Sequence, residues 1–182
     1  MAMTKGKIKA MKKAVLGMLL GVAASTAQAK PILRHGEGLH GIEANAGITA
    51  MGKALAIDWS YYFSPCWQIK AGIGVEVDKF TDNAYRSIFT QPGVAYTIFT
   101  NYRNVFLNIL GGANLHFESY RPKKQKEDCS NFNIGLALGV EIELFLMRRF
   151  EALLAGGSRI FFLKSPYGKV DYFLSLGVRF SF

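Results

Sequence analysis

Trp67-Gln68-Ile69-Lys70-Ala71-Gly72-Ile73-Gly74-Val75-Glu76-Val77 is the stretch that decides the fold of this chain. Its odd positions are almost all large and apolar, and its even positions are small, polar or charged. A period of two is the signature of a β-strand with two unlike faces. An apolar run of similar length without alternation would also suit a buried helix; this one does not.

The same alternation recurs on both sides of that stretch, in eight segments altogether. Before it lie Ile42, Ala44, Ala46 and Ile48, set against Glu43, Asn45, Gly47 and Thr49. Leu55, Ile57, Trp59, Tyr61 and Phe63 follow, against Ala56, Asp58, Ser60 and Tyr62. After it the pattern is weaker across Ile88, Thr90, Pro92, Val94, Tyr96 and Ile98, then strong from Val105 to Phe117 and from Phe132 to Leu144. Two more segments, Phe150 to Phe162 and Tyr172 to Phe182, complete the series. Pro92 falls in mid-strand, where its missing N–H removes a ladder bond, so a bulge is expected there.

Alternation does not say what the apolar face touches. A soluble sandwich or a lipocalin would bury that face and show the other to water. The second face argues against this: it mixes glycine, alanine and serine with isolated charges, which suits a narrow lumen better than a solvated surface. The apolar face is almost free of charge, as a lipid-facing band must be. Aromatic residues gather at segment ends, with Tyr61, Phe63, Trp67, Tyr96, Phe150, Phe180 and Phe182 at one end and Phe117, Phe132, Phe162 and Tyr172 at the other. Interfacial girdles have that distribution. The expected fold is therefore all-β: a closed antiparallel up-and-down transmembrane β-barrel of about eight strands.

Lengths agree with this reading. A strand of ~10 residues at ~3.4 Å each, tilted ~40°, rises roughly 26 Å, close to the ~25 Å lipid band. From a periplasmic N-terminus, the inner connections are short (Ser64-Pro65, Thr100 to Arg103, Leu146 to Arg149). The outer ones are longer (Asp78 to Tyr85, Glu118 to Asn131, Leu163 to Val170), apart from Met51-Gly52-Lys53.

Residues 1–29 read as a secretory signal peptide. Five lysines come first, an 11-residue apolar run from Ala14 to Ala24 follows, and Ala27-Gln28-Ala29 supplies the small-x-small cleavage pattern. The run is too short to span a bilayer as a helix, which takes about 20 residues. Residues 30–40 form a periplasmic lead and 41–182 the barrel, so the bacterial outer membrane is the expected location. The formal charge of +9 then loses its meaning as a nucleic-acid signal, because removing those five lysines from 22 bases leaves 17 − 13 = +4. Direct nucleic-acid binding is not expected. Cys66 and Cys129 belong to opposite ends of the barrel, too far apart for a disulfide, which needs Cα atoms within about 7 Å.

Chemistry, if any, lies inside. The inward charges are Glu43, Asp58, Lys70, Glu76, Glu141, Glu143, Glu151, Arg159 and Arg179. Glu43 should lie level with Arg179 across the closing pair of strands, and Asp58 near Lys70 across a hairpin. Interior ion pairing among Glu43, Arg179, Asp58, Lys70, Glu141, Glu143 and Arg159 is the leading reading, because an unpartnered lumen charge is expensive. A proton or solute path is the alternative. Eight strands leave room for little beyond side chains, which excludes a general porin.

His116 is inward and close in sequence to Glu118 and Ser119, which raises a catalytic base beside a nucleophile, as in barrel enzymes that modify lipid A. No hydrolase motif accompanies it, and His35 and His40 lie before the first strand. No zinc spacing, phosphate loop or nucleophile elbow is present, so neither a cofactor nor enzymatic activity is expected. The loop Arg121-Pro122-Lys123-Lys124-Gln125-Lys126 is basic and could meet lipopolysaccharide phosphates, but Glu118, Glu127 and Asp128 flank it.

The ending Gly177-Val178-Arg179-Phe180-Ser181-Phe182 resembles the terminal strand of outer-membrane barrels, including small barrels of the OmpA and OmpX kind. The resemblance implies that Phe180 and Phe182 form the signal read by the barrel-insertion machinery. The mature chain also resembles the TraO family of conjugative-transposon transfer proteins. The matching stretches are Gly41-Ile42-Glu43 with Ala46-Gly47, Ala95-Tyr96-Thr97-Ile98-Phe99 with Arg103-Asn104, Arg149-Phe150, and the Arg179-Phe180-Ser181-Phe182 end. That resemblance implies an accessory or structural role in conjugal transfer, with other conjugation proteins as partners and no catalytic residues. Adhesion or envelope integrity is the alternative for a small barrel in contact with outer-membrane lipid and lipopolysaccharide.

Overall fold

The computed structural model describes residues 35–77, 84–101, 103–121, 129–163 and 168–182. The expected signal peptide, the start of the lead and the basic loop after Arg121 lie outside the described residues. The described chain belongs to one compact unit, Leu33–Phe182. Its strands are β1 (His40–Thr49), β2 (Lys53–Ser64), β3 (Trp67–Val77), β4 (Ala84–Thr90), β5 (Gly93–Thr100), β6 (Val105–Arg121), β7 (Cys129–Phe145), β8 (Phe150–Phe161) and β9 (Val170–Ser181).

All pairings are antiparallel, and β1 pairs with β9 as well as with β2, which closes the sheet. Both β4 and β5 lie between β3 and β6, so they share one place in the ring. The barrel therefore has eight staves. Closure leaves no open edge along the lipid-facing belt, a requirement for any sheet that crosses hydrocarbon.

The break between β4 and β5 falls at Gln91-Pro92, where a bulge was expected. There is none. Thr90 faces Ile73 and Gly93 faces Lys70 in one continuous register on β3. On the other side Thr90 faces Leu115 and Gly93 faces Gly112, again without a shift. Pro92 still accepts from Ala113 N at 2.9 Å, so the ladder bond lost with its N–H is the return bond to Ala113 O. The Thr90 hydroxyl donates to Gly72 O at 2.6 Å. Register shifts occur instead at Tyr62/Ser64 on β2 and Thr97/Phe99 on β5, both near the end with the short turns.

The apolar parity faces outward along every stave. Leu55, Ile57, Ile73, Leu138, Leu174 and Leu176 are all more than half exposed, whereas Glu43, Glu76, Glu143 and Arg179 are fully buried. This distribution inverts that of a soluble protein, where burial selects apolar side chains. An exposed apolar belt of this extent would aggregate in water, so hydrocarbon is the solvent it fits. The ring clusters bound the belt. Trp67 packs on Tyr96 (4.7 Å between centroids) and Phe150 on Phe180 (5.0 Å) at the short-turn end, and Phe117 on Phe132 (4.8 Å) at the other.

β6 and β7 are longer than the sequence pattern suggests. Their ladder continues through Tyr120 opposite Cys129, where a loop from Glu118 to Asn131 was expected. Beyond Phe117 and Phe132 the outward residues are small and polar (Ser119 and Ser130), so the hydrophobic alternation stops while the hydrogen-bonded ladder does not. Cys66 sits exposed in the turn after β2, and Cys129 opens β7 at the opposite end; both are free thiols.

Close strand contact rests on glycine at a few positions. A Cβ on Gly157 would lie 2.6 Å from Gly139 Cα and closer still to Leu138 O. Gly157→Val is expected to lower stability by about 1–3 kcal/mol through overpacking of the β7–β8 pair. A urea titration followed by the mobility of folded and unfolded bands checks this; an unchanged midpoint would contradict the close approach.

Candidate functional site in the barrel lumen

Alternation places the side chain of every second residue inside, and closure brings these rows face to face. At the short-turn end they converge on Arg179 of β9. Its Nε donates to Glu43 Oε1 at 2.8 Å. Its Nη1 donates to Glu143 Oε1 and Glu151 Oε2, both at 2.7 Å, and to the Tyr62 hydroxyl at 2.9 Å. Nη2 reaches Glu141 Oε1 at 3.4 Å. A guanidinium suits this position because it offers five donors in a rigid plane.

Lys70 supplies the second cation. Its Nζ lies 2.6 Å from Glu141 Oε2 and 2.8 Å from Glu43 Oε2. The expected Lys70–Asp58 pair does not form. In the β2–β3 register Asp58 stands opposite Gly72, while Lys70 stands opposite Ser60. Asp58 instead accepts from Asn45 Nδ2 at 2.7 Å. The long lysine stem reaches across the lumen, so the hairpin neighbour is not its partner. Glu43 and Arg179 do stand opposite each other on β1 and β9.

The inner mouth is stoppered by a residue ahead of β1. His35 Nε2 lies 2.7 Å from Glu143 Oε2, and its ring stacks on Phe106 at 3.8 Å and leans on Tyr62 at 4.4 Å. Backbone bonds from Gly38 N to Tyr62 O and from Tyr62 N to Leu39 O hold this lead in place. Nothing in the local sequence marks His35, because it precedes the strand pattern. His40 lies within β1 and joins the rim rings Trp59, Tyr61 and Phe182.

Toward the other end a second cluster surrounds Arg159. Its Nη1 donates to Asp171 Oδ2 at 3.2 Å and lies 3.6 Å from Glu76 Oε2. The guanidinium also lies over the Phe89 and Phe173 rings, at 4.8 and 5.2 Å. Thr49 donates its hydroxyl to Glu76. Asp171 was missed in sequence because it falls where the last loop was expected to end. β9 starts at Val170, and the alternation that turns Arg179 inward turns Asp171 inward too.

Above Arg159 the lumen is capped by Met51, Tyr85 and Phe161, each at most 2% exposed, with Tyr120 packed against them. His116 lies beneath this cap, stacked on Phe89 and edge-on to Phe161, with Nε2 3.0 Å from Asn114 Oδ1. Ser119 has the opposite parity and is exposed on the barrel exterior, so His116 and Ser119 form no base–nucleophile pair. Among the described residues no group of three or more histidines, cysteines or acids is arranged to hold a metal.

A half-open pocket of about 110 Å³ is lined by Asn45, Asp58, Lys70, Glu141, Gln91 and Arg159 together with the exposed Ile48, Val94 and Leu174. Glycine and alanine at Gly47, Ala54, Ala56, Gly93 and Gly112 leave this space.

An aromatic-bounded apolar belt, a closed antiparallel ring of eight staves and a charged lumen define a small membrane barrel of the outer-membrane type. Solved structures bear this out at the level of fold. The chain is similar to the N-terminal β-barrel domain of Pseudomonas aeruginosa OprF, with a TM-score of 0.68 and 14% identity, over 81% of this chain and 99% of that one. It is similar to a major outer membrane protein from Thermus thermophilus, with a TM-score of 0.65 and 15% identity, over 80% and 99% of the two chains. It is also similar to Ail, the attachment invasion locus protein of Yersinia pestis, with a TM-score of 0.56 and 15% identity, over 81% and 100%. No family model and no curated protein matches the chain.

Proposed function

We propose that the chain is an exported, non-enzymatic outer-membrane barrel that serves as an accessory or structural component of a conjugative transfer apparatus. The observation that carries this reading is the plugged lumen. Side chains close it at His35 and Phe106 at one end and at Met51, Tyr85 and Phe161 at the other, so the barrel offers rims rather than a pore. A barrel built in this way anchors and docks. Short turns at Pro65-Cys66 and Leu146–Arg149 would face periplasmic partners, and outer-membrane lipid, lipopolysaccharide and the barrel-insertion machinery complete the set.

The transfer role rests on the resemblance to TraO proteins along Gly41–Gly47, Ala95–Phe99 and the terminal strand. Deleting the gene from a donor cell and scoring mating tests it. Transfer should fall to the background and return on complementation; unchanged transfer would remove the role. Fractionation of the same cells should find the chain in the outer membrane, migrating differently before and after boiling.

Adhesion is a second reading, favoured by the β6–β7 hairpin. At 17 residues each, these strands exceed the 12 of β8 and β9 by five, roughly 13 Å of extra rise for a tilted strand. Such a hairpin displays Ser119 and Ser130 above the aromatic belt. A deletion strain that conjugates normally but loses surface attachment would favour it.

A further inference from the structure

We propose that the outer half of the barrel's exterior wall, over β1 to β7, holds a phosphate-bearing lipid of the outer leaflet. This binding activity rests on the outer-membrane reading and goes beyond anchoring. The first observation is a row of residues joined by strand register. Lys53 of β2 stands opposite Val77, Val77 opposite Arg86, Arg86 opposite Ser119 and Ser119 opposite Ser130. All five have the outward parity and are exposed. Neighbouring strands lie about 4.8 Å apart, so the backbones of Lys53 and Arg86 are roughly 10 Å apart with only Val77 between them. Each carries its charge at the end of a long stem that can swing over that valine. Two cations set this close, with no acid in the row, suit an anion between them. Glu76 and Glu118, beside this row in sequence, turn into the lumen and are buried.

Phosphate is the anion these groups fit. A guanidinium takes two phosphate oxygens at once and an ammonium adds a point charge. The hydroxyls of Ser119 and Ser130 continue the row as further donors.

The second observation is the surface beneath. The next outward row is Leu55, Val75, Ile88, Phe117 and Phe132, again joined pair by pair in register. Every one of them is apolar and exposed. An open groove connects the two rows, from Arg86 and Ser119 to Val75, Ile88 and Phe117. A second, mostly apolar groove shares Val75 and Ile88 with it and continues to Ala44 and Ala46 on β1. That lane exists because the two alanines stand between larger neighbours: Ala44 between Ile57 and Val178, Ala46 between Leu55 and Leu176. A lane between branched side chains suits an acyl chain. Cations above and an acyl lane below, meeting at Val75 and Ile88, match the polarity of a single anionic lipid. A second copy of the chain fits worse, since a two-fold contact over this wall would bring four like charges into one interface.

Native mass spectrometry of the purified full mature chain, released from neutral detergent micelles, tests this with diphosphorylated lipid A as the probe. The wild type should retain the lipid. Dephosphorylated lipid A should be retained about 10-fold less, and so should the phosphorylated lipid on the double variant Lys53→Gln, Arg86→Gln, as expected for losing charge-assisted bonds. Arg148→Gln, in an exposed turn at the opposite end, should change nothing, and inorganic phosphate should not displace the lipid. Equal retention of the two lipids, full retention by the double variant, or displacement by inorganic phosphate would each overturn the proposal. A lipid-free dimer that the double variant loses would do so too, assigning the wall to a second copy. If the double variant fails to fold, the comparison of the two lipids on the wild type decides. Membrane location and transfer are read separately, by fractionation and mating, so a failure here leaves them standing.

Discussion

Arg179→Met is expected to destabilise the barrel by about 3–5 kcal/mol, the usual cost of removing one partner from a buried ionic network. Among the described residues Arg179 is the only group that touches Glu43, Glu141, Glu143 and Glu151 together. Its loss leaves Lys70 to serve Glu43 and Glu141, while Glu143 and Glu151 lose their shared guanidinium. Methionine matches the stem, so the loss reports on charge and hydrogen bonds rather than on packing. A urea titration in detergent or liposomes measures it. The triple variant Arg179→Met, Glu143→Gln, Glu151→Gln should recover part of the stability, because it removes the orphaned charges along with their partner. A single variant as stable as the wild type would mean that the network is solvated and contributes little.

The second large effect belongs to the opposite face. Leu138 is 54% exposed at mid-height on β7, opposite Gly111 on β6 and Ser158 on β8. Leu138→Arg should cost about 2–4 kcal/mol if hydrocarbon surrounds it, falling toward roughly 0–1 kcal/mol for an arginine at Phe132, near the interface. On a water-exposed surface neither change would cost more than about 0.5 kcal/mol. Comparing the two positions by reversible unfolding into lipid vesicles therefore reads the depth of the belt directly. Equal, small effects at both positions would show that the apolar face is not lipid-facing.

Much of the architecture was legible from residue order. Strand parity is a local property: a side chain at i and one at i+2 point the same way whatever the rest of the chain does. Glu43, Glu141, Glu143, Glu151, Arg159 and Arg179 were therefore recognisable as inward residues. Segment number and the lengths of the connections then implied closure. The long ends of β6 and β7 were not legible, because above the lipid band nothing demands apolar residues, yet the ladder bonds persist. Pro92 misled for a different reason: its missing N–H was visible, but not that the registers to β3 and β6 run on unshifted past it.

Residue order alone determined the fold class and the two faces of the sheet, since hydrocarbon outside and a narrow interior each constrain composition position by position. Tertiary structure decided who meets whom inside. Lys70 reaches Glu141, 71 positions away, and passes over Asp58. His35 closes a mouth built from Tyr62, Phe106 and Phe145. Partnership across a lumen depends on stagger, stem length and curvature, which emerge only when the last strand has hydrogen-bonded to the first.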